Sequence, residues 1–519
     1  MKSIRALRLF AIAAGLLVAP AAFAGLIVSA PLDVIGNLPV ARFTMAGYGT
    51  RAYKDWGNEP FVAVNPLNTN DVFISSFSFS TATSASGDAN VFYSTNGGTN
   101  WTSQFSVPPP ASGVTIPNDW TFAYDSSGTL HGAVLGGEPT PNVYQGMTAN
   151  PTSAAAWSYT GGGTPINTAA STGHADQPWI AVQAGKVFVA YDDFHSNTGE
   201  RVAVSNNDGA TFTVDNPINN GPSPNSANPG TRIATDRGGN VYSIFGSGSR
   251  TATPGVNNVV YYLNRSRDGG VTWDFDANSP EGGIIIDSGV STQLCNSIAR
   301  GGTCTQTANN WFANVNDLRG NITAVAPDGT GSHVYVLIGK QDGAGTDRIY
   351  LATYQLAGIN LIKSSEIVIS PAGQRAALPA ITVLDDGTVV MTYETYGADG
   401  KVHIHVTSSV DFGATIASDI EEYSFTPLPL AAARPGTCDV NGCQDREFGD
   451  YDFLMSIDNT VYGTFAGLGD VNAGAINTTG LIDPFFFSGT DQVPEPGTLS
   501  LVLTGLAAAV WLRRRNNNR

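Results

Sequence analysis

Seven times along this chain a short apolar run, a polar turn and a second, aromatic-rich apolar run follow one another. The first instance is Glu59-Pro60-Phe61-Val62-Ala63-Val64, a turn over 65–70, then the run 72–77. Later instances open at Asp119-Trp120, Gln177-Pro178-Trp179, Thr231-Arg232-Ile233, Arg319-Gly320-Asn321-Ile322, Leu378-Pro379 and Phe448-Gly449-Asp450-Tyr451. Short runs rich in Val, Ile, Phe and Tyr, punctuated by Asn, Asp and Gly, predict antiparallel strand pairs. The openings are separated by 54 residues (178 to 232) up to 89 (232 to 321), enough for one four-stranded sheet and a loop per repeat.

Four of these repeats carry a common frame after their third expected strand. The fullest copy is Ser266-Arg267-Asp268-Gly269-Gly270-Val271-Thr272-Trp273. Ser94, Asn96, Gly98 and Trp101 share it, as do Ser205, Asn207, Gly209 and Phe212, and 409–416 is a degenerate fourth. The physical content is a hairpin: Asp or Asn folds back on its own backbone, Gly takes a positive φ, and an aromatic ring packs beneath the next strand. This spacing resembles the Asp-box, or bacterial neuraminidase repeat, of sialidase-like β-propellers, over about residues 50–470. In that family the box is structural. The resemblance implies an all-β fold, a single β-propeller of four-stranded blades. Seven blades are expected, with six and a partial unit as the alternative, and residues 26–29 are expected to close the ring on the last blade. A β-sandwich pair or a β-helix would show similar alternation.

The two ends read as processing segments. Lys2, Arg5 and Arg8 precede an apolar run over 9–18 and the small-x-small site Ala22-Phe23-Ala24, which predicts a signal peptide over 1–24. At the other end Pro494-Glu495-Pro496 precedes an apolar stretch over 498–512 and Arg513-Arg514-Arg515. This order resembles the PEP-CTERM sorting signal. The resemblance implies an exosortase as partner, transient anchoring of 498–512 in the inner membrane as a transmembrane helix, and delivery to the cell surface or extracellular matrix of a Gram-negative bacterium. The expected organisation is 25–58 as N-terminal strand and approach, 59–487 as propeller, and 488–519 as sorting signal.

Composition agrees with an exported, turn-rich β protein: 13% charged residues, 59 glycines and 10% aromatics. The net charge of −17 disfavours nucleic acid as a partner and leaves room for structural calcium; no other cofactor is expected. The four cysteines fall into the local pairs Cys295 with Cys304 and Cys438 with Cys443, which an exported chain would form as disulfides, zinc being the alternative.

Antiparallel geometry sets residues before each first strand and after each second strand on a shared rim. That rule collects Glu59, Asp119, Asp176, Asp192, Asp193, Arg232, Arg319, Glu394, Arg446, Glu447 and Asp450 as a ligand-binding group. Arginine forks facing acids suit a carboxylate-bearing sugar; ordinary paired strand ends are the plain alternative. A sialidase would need three arginines on the substrate carboxylate, a Tyr nucleophile with a Glu, and an Asp acid/base. Arg232, Arg319 and Arg446, Tyr451 with Glu447, and Asp119 can be matched to these roles only by position. The family's N-terminal Arg-Ile-Pro is missing: Ala41-Arg42-Phe43 departs on both sides of its arginine. His174 and Asp176 beside Asp192, Asp193 and His195, and the pair His403 and His405, read as polar loop or strand residues before metal ligands, so no metal site is assigned. The expectation is an exported protein whose propeller binds polysaccharide or another matrix component, with a secreted glycoside hydrolase acting on acidic sugars as the alternative.

Overall fold

The structure, a computed structural model, describes residues 26–34, 42–45, 49–52, 58–77, 90–111, 114, 119–137, 140–167, 173, 175–193, 199–218, 231–250, 257–273, 283–291, 312–313, 323–358, 360–427, 438–439, 442–443, 448–468 and 482–491. The signal-peptide, sorting-signal and Cys295–Cys304 expectations lie outside them. Among the described residues no helix is long and apolar enough to cross a membrane.

Seven separate antiparallel sheets follow one another, six of them built from four consecutive strands and the last from strands of both ends of the chain. Their innermost strands are Asn58–Val64, Trp120–Tyr124, Ala175–Gln183, Arg232–Thr235, Thr323–Pro327, Arg375–Val383 and Phe453–Ile457. This is the seven-bladed propeller that the repeats predict. The sixth inner strand begins at Arg375, ahead of the expected Leu378, and the seventh at Phe453 rather than Phe448, because 448–452 form a buried bend whose polar groups bond to other blades; the expected fifth start at Arg319 lies outside the described residues.

Burial falls from the axis outward. The second strand of blade two, Leu130–Gly136, is buried at every position, whereas the fourth strand of blade five, Asn360–Val368, has no buried residue. An inner strand is covered on both faces by neighbouring blades and therefore reads as a continuous apolar run.

The last blade takes three strands from the C-terminal part of the chain and completes itself from the N-terminal part, with Leu32 opposite Phe486 and Asp33 opposite Phe485. These contacts belong to a compact unit over residues 29–488. A second unit comprises the two ends, and there Leu26 pairs with Asp491 and Val28 with Gly489. Two short hairpins, 42–45 with 49–52 and 438–439 with 442–443, stand apart from the blades; the second sets Cys438 opposite Cys443.

All four box sequences form one loop between the third and fourth strands of blades one, three, four and six. In each, the Ser hydroxyl accepts the N–H of the Gly four residues on: Gly98 to Ser94 at 2.9 Å, Gly209 to Ser205 at 2.9 Å, Gly270 to Ser266 at 2.7 Å and Gly413 to Ser409 at 3.0 Å. The Asx carboxyl or amide then accepts the backbone N–H four residues on, as Asp268 does from Thr272 at 2.8 Å. These bonds hold the Asp268 and Asp411 carboxyls below the usual range. That glycine faces the preceding blade. A Cβ on Gly98 would lie 2.0 Å from the Phe486 ring of blade seven, and one on Gly413 would lie 2.4 Å from Thr353 Oγ1 of blade five.

Blades three and six repeat a second device. Tyr191 faces Arg201 across the ladder and donates to Asp215 at 2.8 Å, with Arg201 Nε 3.0 Å from the same carboxylate. Tyr393 faces His405 in the same way, and both reach Asp419, at 3.2 and 3.3 Å.

The box glycines make a direct prediction. Gly98→Ala combines a φ of +86° with the Phe486 clash and should cost about 2–4 kcal/mol, from left-handed strain and overpacking together. Gly400→Ala, at φ +76° with open space around it, should cost about 1–2 kcal/mol. Denaturant unfolding of the two variants beside the parent measures the difference.

Candidate functional site

Three blades begin their inner strand with the same irregularity. Glu59, Gln177 and Leu378 each precede a proline and adopt a positive φ of 49°, 48° and 49°. The ladder to the second strand breaks there, between Asn58 and Phe61, Asp176 and Trp179, and Ala377 and Ala380. Proline removes one ladder donor, and the bulge re-aims the side chain before it. Backbone groups freed this way find side chains on the neighbouring blade. Thr121 accepts the Ile180 N–H at 3.0 Å and donates to the Pro178 carbonyl at 3.2 Å; Thr464 donates to the Pro60 carbonyl at 3.0 Å.

The bulges join blades one, three and seven at the axis. Glu59 Oε1 accepts the Asp450 N–H at 3.0 Å, and Gln177 Nε2 donates to Asp450 Oδ2 at 2.6 Å. Gly449 is required between them, because a Cβ would lie 2.1 Å from Glu59 Cγ.

Beside this junction lies Arg232, 4% exposed. Its guanidinium sits 4.1 Å from the centre of the Trp179 ring and 5.3 Å from that of Tyr451, in cation–π geometry. Burial pushes its pKa down to about 10, opposed by Tyr451, Asp192, Glu59 and Glu200, so it stays charged at neutral pH. Thr231 bonds Glu200 through its hydroxyl. Phe61 and Phe453 stack at 3.6 Å beneath, and Trp179 meets Tyr451 edge-on at 5.3 Å.

A second buried group lies at the boundary of blades six and seven. Glu394 and Asp452 are 0% and 2% exposed. Among the described residues neither Glu394 oxygen has a hydrogen-bond partner; Asp452 accepts the Ala466 N–H at 3.3 Å through Oδ1 and has none at Oδ2. Burial, with Asp452 beside it, pushes the Glu394 carboxyl well above the usual range, and burial does the same for Asp452. Two adjacent buried carboxyls, with one backbone N–H between them as donor, titrate as a pair and not independently.

Below these groups an axial cavity of about 400 Å³ is lined by inner strands of all seven blades. Trp179, Arg232, Tyr451 and Asp452 form one end of it; Arg237, Gly329 and Asp385, on turns leading to the second strands, form the other.

The structure brings Glu59, Asp192, Arg232, Asp450 and Tyr451 into one cluster and buries Glu394 against Asp452. Of the expected rim residues, Glu59, Asp192, Arg232, Glu394 and Asp450 are buried. Three expected members make strand-end contacts: Asp193 lies 4.0 Å from Arg201, Asp176 caps the Gln177 N–H at 3.0 Å, and the Asp119 carbonyl accepts the Leu135 N–H at 3.0 Å. Arg319, Arg446, Glu447, His174 and His195 lie outside the described residues. His403 pairs with Asp399 and Glu421 at 3.2 and 3.0 Å, and among the described residues no group of three ligand side chains fits a metal ion. Sequence reasoning missed Gln177, Trp179, Glu200 and Asp452. The recurring x-Pro at strand starts was a usable signal for the first two.

No family model and no curated protein matches this sequence. Solved structures resemble it at low identity. The GH93 α-L-arabinofuranosidase of Fusarium graminearum, complexed with arabinobiose, aligns at 8% identity and TM-score 0.43, over 88% of this chain and 97% of that one. The Penicillium chrysogenum α-L-arabinanase aligns at 11% identity and TM-score 0.45, over 89% and 98%. Trypanosoma rangeli sialidase aligns at 12% identity and TM-score 0.39, over 74% and 59%. These likenesses assign no residue and no activity.

The carboxyl pair makes a pH-dependent prediction. Because its folded-state pKa values are raised, stability falls as pH rises from the unfolded values near 4 toward the folded ones. Glu394→Gln removes one of the two groups, so it should exceed the parent in stability by about 1–3 kcal/mol at pH 7. The gap should close as pH is lowered to 4, read by unfolding at each pH.

Proposed function

We propose that this chain is an exported surface or matrix protein whose propeller binds polysaccharide through the axial cavity without cleaving it. The observation that carries the reading is the cavity: Trp179, Tyr451 and Phe453 line it together with a buried guanidinium and a carboxyl, in a space of about 400 Å³. Aromatic faces with a few convergent polar groups are the common chemistry of sugar sites. Export and sorting are supported by the sequence ends, with Pro494, Glu495 and Pro496 as the exosortase motif and 498–512 as a transient inner-membrane anchor.

A hydrolytic reading has one observation in its favour, the Glu394–Asp452 pair, since a carboxyl kept protonated at neutral pH is the usual general acid of glycoside cleavage. The missing arginine motif and the burial of Arg232 under two rings weigh against the sialidase form of it.

A glycan array probed with the full-length chain in detergent, beside a panel of fluorogenic glycosides, separates the two. Binding without turnover is expected. Turnover lost in Glu394→Gln or Asp452→Asn would make the protein an enzyme. For sorting, Glu495→Ala should leave the protein in the membrane fraction, whereas the parent is recovered at the surface or in the medium.

A further inference from the structure

We propose that Phe412, on the box loop of blade six, is an open stacking platform for a pyranose unit of a polysaccharide chain, outside the axial cavity. This rests on the polysaccharide-binding reading and adds to it a second contact and the residue that makes it.

The fourth position of the box frame has a left-handed backbone. It is Gly97, Asp208 and Gly269 in blades one, three and four, with φ of 68°, 53° and 74°, and Phe412 in blade six, with φ of 59°. Glycine takes that conformation freely and Asp tolerates it, but a bulky side chain is strained there. Burial could offset the strain, yet Phe412 is 56% exposed. Among the described residues no other aromatic ring falls in the exposed class. A ring held on strained backbone and turned to solvent contributes little to the fold, and such outliers gather where a ligand is met.

The surroundings hold the ring in place. One face packs on His333 of blade five, with centroids 4.9 Å apart and planes at 25°. Asp328 fixes His333 in turn, accepting its backbone N–H at 3.1 Å and lying 3.3 Å from Nδ1. The loop is fixed as well: Asp411 accepts the Thr415 N–H at 2.9 Å and the Thr415 hydroxyl at 2.6 Å. With one face on His333, the exposed area belongs to the other face and the edge of the ring. A pyranose presents a patch of C–H groups that covers such a face, and a ring already held loses little freedom on meeting it. Because the face is open and not enclosed, it takes an internal unit of a chain as well as an end. Its place also suits a chain that reaches the cavity. In blade six the turn carrying Asp385, at one end of the cavity, joins the first and second strands, and the box joins the third and fourth. Both turns lie on one edge of the blade, two strand spacings or about 10 Å apart, within reach of a single oligosaccharide.

Biolayer interferometry of the full-length chain in detergent tests the inference, against immobilised arabinan, xylan, mannan, β-glucan and polygalacturonate and any glycan that the array returns. For the polymers that the parent binds, Phe412→Gly should weaken binding at least about tenfold. Its thermal midpoint should stay level or rise, because the loop regains the residue that blades one and four carry. Phe412→Tyr keeps the ring and should bind as the parent does, whereas Phe412→Leu should fail as Phe412→Gly does. Parent-like binding by Phe412→Gly, or loss of binding in Phe412→Tyr, would overturn the inference and leave polysaccharide binding standing. So would binding kept by Phe412→Leu, which marks a plain apolar contact of the kind a protein or lipid face makes, or binding lost in Phe412→Gly only together with a fall in thermal midpoint. A parent silent on all of these glycans would overturn both.

Discussion

Arg232 is a full positive charge taken out of water at the axis of the ring, and much of the surrounding arrangement follows from keeping it there. A buried guanidinium needs compensation from more than one direction. Two rings supply their faces, and carboxylates on blades one and three supply opposite charge. One of those carboxylates, Glu59, reaches its position because a bulge before Pro60 breaks the ladder. The same bulge geometry brings Gln177 onto Asp450. Cluster, bulges and blade junctions are therefore one construction, and weakening any part strands a charge in an apolar setting.

The boxes act differently, through shape. Each places a glycine against the neighbouring blade where a methyl group would press on the Phe486 ring, the Gln145 amide, the Val204 methyl or the Thr353 hydroxyl, so the loop fixes the spacing between blades. Four such contacts around a seven-membered ring leave three junctions to other means. The Thr464–Pro60 and Thr121–Pro178 bonds serve two of the seven, one between blades seven and one and one between blades two and three.

Legibility in the sequence followed the range of the interaction. Strand pairs, box loops and blade number depend on neighbours within one repeat, and residues such as Ser266, Asp268 and Gly270 announce them directly. Glu59, Arg232, Glu394 and Asp450 could be placed at one end of the ring from antiparallel geometry alone. Their burial could not, because it depends on which blades face one another across the axis. Asp452 was overlooked beside Asp450 for the same reason: the two acids belong to one turn, yet one bonds toward blades one and three and the other lies against blade six. The positive φ at Gln177 and Leu378 contradicts local preference and is maintained only by the packed ring.

Leu32 and Asp33 complete the last blade, so residues synthesised before the first blade are partners for residues synthesised after the sixth. The first six sheets can assemble as they emerge, each from strands adjacent in sequence, but the seventh waits for a contact that spans all six of the others. Such long-range closure is the slow kind of step in folding. Until it happens, the strand Ile482–Asp491 presents an unpaired edge with Phe485, Phe486 and Phe487 side by side, a template for association with another chain. A truncation or a stalled N-terminus should therefore show itself as aggregation of nearly finished rings rather than as loss of the individual blades.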